Sequence, residues 1–275
     1  MLGKLIKNEI VNRGAQVLLL LLGIVAISGV EAILLEVKER TNNPGTFFNT
    51  FVILFSVAYG FVMFSSLIGV AFFNVSDFGK RLFKDQGYLT HTLPVKTSSI
   101  IIARMICDFG VMIAFAITFP FALSITFRDF SFYKGIIDIL DSILKATGSV
   151  ADKSLLIATL VALFIGIFIS MLFTLWMYNG AYALGHMFSK NKRILSVVFF
   201  IVIVVIVEVI SIVIGNAVYD SNLLNFSVEI RDHSITGNVG ALFMLVMASD
   251  VIMLISAGIM AAITNWVCKN KLNLE

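Results

Sequence analysis

The sequence predicts an all-α membrane protein with six transmembrane helices, and three observations carry that expectation. Mean hydropathy is +0.99. Of the 275 residues, 59% are hydrophobic and only 13% are charged, whereas a soluble globular chain is roughly a quarter charged. The apolar residues fall into six runs, each long enough to cross a hydrocarbon core as a helix, which takes about 20 residues.

The spans read as Ala15–Val37, Phe48–Val75, Ile100–Phe127, Ser154–Phe188, Leu195–Tyr219 and Val239–Cys268. The longest connections, Arg128–Lys153 and Asp220–Asn238, are too short to fold as separate soluble domains. Residues 1–275 therefore read as a single transmembrane domain. Ahead of the first span, Leu2, Leu5, Ile6 and Ile10 share one helical face, with Lys4, Lys7, Asn8 and Asn12 elsewhere. That pattern predicts an amphipathic helix on the membrane surface, joined to the span at Gly14. The rival reading is a signal peptide cleaved near Ala26-Ile27-Ser28, but the apolar run continues for another turn or more, which favours a retained anchor. In the third span Pro120 removes a backbone donor and predicts a bend near Ala116. The fourth run has 35 residues, about 52 Å as a helix, so it either projects beyond the bilayer or breaks at Asn179-Gly180. Within the outer loop, residues 128–153, Ile136, Ile137, Leu140, Ile143 and Leu144 predict a second interfacial helix over Gly135–Thr147.

Orientation follows from the Lys/Arg asymmetry, because cytoplasmic loops retain the excess of positive side chains. With both termini inside, thirteen Lys and Arg lie on the cytosolic side and seven on the other. The net charge of +3 is mostly this signature and gives no basis for nucleic-acid binding. Cys107 and Cys268 both fall toward the cytosolic side, where a structural disulfide is not expected. The chain is thus expected in a plasma membrane, crossing it several times.

No enzymatic constellation can be assembled. His91, His186 and His233 are scattered, so no metal site emerges. Gly148–Ser154 (GSVADKS) lacks the glycine before the lysine that a phosphate-binding loop requires. Apart from Glu36 at the outer edge of the first span, the acidic residues within the spans are Glu31, Asp108, Glu208 and Asp250, and an ionised group in hydrocarbon is costly unless it faces protein, water or a cation. Asp108 has Arg104 four residues earlier, which predicts a structural ion pair within one helix. Glu31 lies near the outer end of its span and is expected to reach the headgroups. Glu208 and Asp250 both fall near mid-bilayer with no cation in reach by sequence. They are either a polar lining for a transport route or acid-base site, or two carboxyls hydrogen-bonding across helices.

The polar stretch Ser76–Ser99 (SDFGKRLFKDQGYLTHTLPVKTSS) interrupts the apolar runs and is dense in Lys and Arg. Phe78, Leu82 and Phe83 form a short apolar face beside Lys80, Arg81 and Lys84, and Gly87 is a helix stop. Tyr88–Leu93 then runs extended into Pro94, before Thr97 or Ser98 caps the next span. The run Lys84–Val95 (KDQGYLTHTLPV) resembles the loop between the second and third spans of ABC type-2 exporter permeases, and the six-span layout agrees. The resemblance implies a cytoplasmic coupling helix in this loop, docked on a separate ATPase subunit that binds ATP and Mg. Asp85, Gly87, Tyr88, Leu89, Thr90, Thr92, Leu93 and Pro94 are the matching positions. It further implies a second permease, identical or related, and no cofactor or catalytic residue in this chain. Two other readings compete: an intramembrane enzyme using Glu208 and Asp250, and a non-transporting sensor or scaffold subunit.

Overall fold

The structure is a computed structural model that describes residues 2–41, 45–83, 96–128, 134–135, 137–138, 150–188, 191–220, 229–231, 234–236 and 239–270. Among them are six long helices: α1 (Leu2–Arg40), α2 (Thr46–Leu82), α3 (Thr97–Phe127), α4 (Val150–Gly185), α5 (Lys192–Asp220) and α6 (Val239–Asn270). All six are long and apolar enough to cross a membrane. Between α5 and α6 a small hairpin, which hydropathy does not foreshadow, pairs β1 (Glu229–Arg231) with β2 (Ser234–Thr236) antiparallel, Ile230 opposite Ile235.

Three details differ from the sequence expectations, and another decides between two of them. The amphipathic N-terminal segment is not a separate element, because α1 runs unbroken from Leu2 to Arg40. At 1.5 Å per residue this helix is about 58 Å long, so the segment is an extension of the span. Glycine at position 14 costs only about 1 kcal/mol within a helix, too little to break one this long. Next, α2 continues past Val75 to Leu82, so Phe78 and Leu82 belong to the span's own last turns. Third, α4 is continuous through Asn179-Gly180 and so resolves the two options in favour of extension. Asn179 is buried there, and Gly180 faces Met260 and Thr264 of α6. Finally, the residue capping α3 is Lys96, in extended conformation with no side-chain cap bond, and Thr97 is already helical. Most of the expected interfacial helix over Gly135–Thr147 lies outside the described residues.

Two compact units divide the chain between Asp77 and Phe78, before Pro94, and after Gly135. The first contains α1, the greater part of α2, and α3. Its core joins Ile24, Tyr59, Met63, Val70, Phe115 and Ala122, flanked by Leu20, Leu21, Ile27, Val111, Phe119 and Leu123. Pro120 is accommodated within the continuous α3. Arg128 closes that helix in the left-handed region (φ 50°), its N–H donating to the Ile125 carbonyl. The second unit contains the last turn of α2 with α4, α5 and α6, α4 packing against both α5 and α6. Large apolar side chains cover the outer faces of the helices, and the most hydrophobic window of α5 has no buried residue at all. Such surfaces are suited to lipid rather than water.

Candidate functional site

Charged residues in the first unit converge on one buried cluster. On α2, Asn74 and Asp77 are three residues apart and therefore share a face. On α3, Arg104 and Asp108 are four apart and do the same. Arg13 of α1 lies between them. Its Nη1 donates to Asp108 Oδ1, its Nη2 to Asn74 Oδ1 at 3.1 Å, and its Nε stands 3.0 Å from Asp77 Oδ2. Arg104 Nη2 donates to Asp77 Oδ2 at 2.6 Å. The face of the Phe73 ring lies 5.1 Å below the Arg13 guanidinium, within cation–π range.

The expected pair within one helix is present, and it is part of a larger network. Arg104 Nε and Asp108 Oδ2 are 3.9 Å apart, whereas the short contacts of both residues cross to other helices. An i,i+4 pair on a single helix contributes only about 0.3–0.5 kcal/mol. Here two guanidinium and two carboxylate groups balance in charge, and Arg13, Arg104 and Asp108 are all at least 97% buried. Each arginine therefore depends on the carboxylates beside it, since an unpaired buried charge is strongly destabilising. Arg13, Asn74 and Asp77 had no signal as partners in the sequence. Only the packing of parallel α1 and α3 with α2 antiparallel to both brings them together. Beside the cluster, α1 and α3 leave a cleft of about 290 Å³ lined by apolar residues such as Val17, Leu21 and Val111, with Glu9 and Arg13 at its polar end.

Five residues beyond Asp77, the end of α2 is held by aromatic side chains in the second unit. Phe78, Leu82 and Phe83 are fully or almost fully buried. Phe83 lies 5.8 Å from the Tyr182 ring and 5.0 Å from His186, and Tyr182 stacks on His186 at 4.1 Å. Phe78 meets Tyr182 edge-on at 6.3 Å. The Tyr182 hydroxyl occupies the space a Cβ would take at position 79, so glycine is required there for this approach. His186 Nδ1 is 2.9 Å from the Tyr182 carbonyl, consistent with an N–H donated to it. His186 is therefore a packing residue. Expected docking positions Asp85, Gly87, Tyr88, Leu89, Thr90, Thr92, Leu93 and Pro94, along with His91 and His233, lie outside the described residues.

The remaining intramembrane carboxylates separate into three environments. Glu31 does not extend toward the headgroups: it is 98% buried, and its Oε1 accepts a hydrogen bond from Ser56 Oγ at 2.6 Å. One helical turn away, Ser28 Oγ lies 3.1 Å from Tyr59 OH, which lies 2.7 Å from Thr126 Oγ1. Asp250 is buried on α6 with its Oδ1 2.7 Å from where a Cβ at Gly166 would lie, so the carboxyl rests on the α4 backbone. Glu208 is exposed on α5. No hydrogen bond or ion pair joins Glu208 to Asp250 among the described residues. Nor do the described residues include a group of three or more His, Cys, Asp and Glu able to hold a metal ion. No family model, curated protein or solved structure matches the chain.

Proposed function

We propose that this chain is the membrane-spanning subunit of an ATP-driven exporter, similar to ABC type-2 permeases, whose energy comes from a separate ATPase that binds ATP and Mg. The observation that carries the reading is the segment Lys84–Val95 (KDQGYLTHTLPV) between the second and third spans. Its surroundings support a mechanical role. A partner can move spans only through an element joined stiffly to them, and the segment begins immediately after a buried aromatic anchor, Phe78, Leu82 and Phe83 against Tyr182 and His186. It ends one residue before α3, which carries Arg104 and Asp108 of the charge cluster.

In this proposal the termini and the segment face the cytosol, as the Lys/Arg asymmetry indicates, and the membrane is the bacterial plasma membrane. The cargo is an amphipathic peptide, drug or lipid-like molecule. A second permease completes the translocation unit. Exposed Glu208 supports that last point, because an ionisable side chain facing lipid near mid-membrane costs several kcal/mol by most estimates, and a neighbouring subunit would relieve that cost. An acid-base pair of Glu208 and Asp250 gains no support from their different environments.

The test is purification from native membranes. An ATP-hydrolysing protein should accompany the chain, and deletion of Lys84–Pro94 should release it while the spans still fold. Retention of that protein by the deletion variant would refute the docking assignment.

A further inference from the structure

We propose that Glu31 and the hydroxyl groups around it form a binding site for a hard monovalent cation, with sodium the ion its oxygen ligands suit best. The site lies wholly among α1, α2 and α3 and does not depend on the export reading. Its starting point is an incomplete carboxylate. Ser56 Oγ donates to Glu31 Oε1, but Glu31 Oε2 is buried with no hydrogen-bond partner among the described residues. A buried carboxylate that is only half satisfied is costly. The nearest guanidinium on the same helical level is Arg128, which donates to the Ala32 carbonyl at 2.8 Å and to Glu36 Oε2 at 2.7 Å. Among the described residues it therefore leaves Glu31 with no ion-pair partner.

Helix geometry sets which groups the carboxyl leans toward. Side chains on a helix lean toward its N-terminus. Glu31 on α1 therefore leans toward Ser28, and Tyr59 on the antiparallel α2 leans toward Ser56. The pairs Glu31 with Ser56 and Ser28 with Tyr59 follow the same register, which puts the Ser28, Tyr59 and Thr126 hydroxyls one helical turn from the Glu31 carboxyl, on the side toward which that side chain leans.

Proton placement makes that level a ligand set. Ser28 Oγ donates to the Ile24 carbonyl at 2.9 Å and Thr126 Oγ1 to the Ala122 carbonyl at 3.2 Å, while the Ser56 proton is committed to Glu31 Oε1. A hydroxyl has one proton and two lone pairs. Hydroxyls whose protons go to their own helix carbonyls present lone pairs inward, as cation ligands do. One carboxylate and several neutral oxygens are a hard-cation set, and the single negative charge matches a monovalent ion.

The full-length chain in nanodiscs would be unfolded thermally in sodium chloride and in choline chloride at equal ionic strength. Sodium should raise the midpoint by a few degrees for each tenfold increase above its dissociation constant. Glu31→Gln should lose that dependence, and Tyr59→Phe should weaken it. Equal midpoints for the natural chain in the two salts would overturn the proposal, as would a sodium response in Glu31→Gln equal to that of the natural chain. Should Glu31→Gln fail to fold, titration calorimetry of the natural chain with sodium chloride decides: saturable binding supports the site, and its absence overturns it.

Discussion

Arg13 shows how much a single side chain can depend on distant partners. Its guanidinium contacts Asp108, Asn74 and Asp77, all at least 61 positions away along the chain, on two other helices. Replacing Asp108 with Asn would leave two buried arginines facing one carboxylate. The expected loss is about 3–5 kcal/mol of stability, measurable by reversible unfolding in mixed micelles. The double variant Arg13→Met with Asp108→Leu should recover a large part of that loss, because a well-packed apolar replacement removes the unpaired charge. Equal stability of Asp108→Asn and the natural chain would show that the cluster is not an ion-pair network. Spacing made Arg104 and Asp108 neighbours in advance, since four residues are one turn. It could not supply Arg13 or Asp77, because proximity between helices depends on packing register, which one sequence does not encode at this resolution. Glu31 was misjudged for a related reason: depth along a span was legible, but the direction the residue faces was not.

At the scale of elements, the end of α2 rests on rings contributed by α4 and the turn after it. Truncating Phe83 or Tyr182 to Ala should each cost about 3–5 kcal/mol, as for other buried aromatics. Because the two rings touch, the double variant should cost less than the sum, with a coupling of about 0.5–1.5 kcal/mol. Strict additivity in a double-mutant cycle would mean that the rings do not act together. Hydropathy made all six spans legible, and their ends were placed within a few residues for most of them. The continuation of α2 to Leu82 was obscured because Asp77, Lys80 and Arg81 read as loop residues. Within the structure Asp77 is neutralised by Arg13 and Arg104, so the polar composition of that turn reflects charge pairing within a helix.

For the whole molecule, the distribution of apolar surface distinguishes α5 from its neighbours. This helix has no buried residue in its hydrophobic window yet carries Glu208, and the proposed pairing with a second permease predicts that the two meet there. In a chain with Cys107 and Cys268 changed to Ser, Glu208→Cys should form a disulfide-linked dimer on oxidation in the membrane, whereas Leu163→Cys on α4 should not. Absence of the Glu208→Cys dimer would move the seam elsewhere. The buried anchors on α2 carry one more consequence. A helix turns about 100° per residue, and Gly79 near the end of α2 leaves the space that the Tyr182 hydroxyl fills. Turning that last stretch by one residue would bring Phe78 or Lys80, each with a Cβ, to the same place. The ring therefore admits one rotational setting of the stretch that touches it.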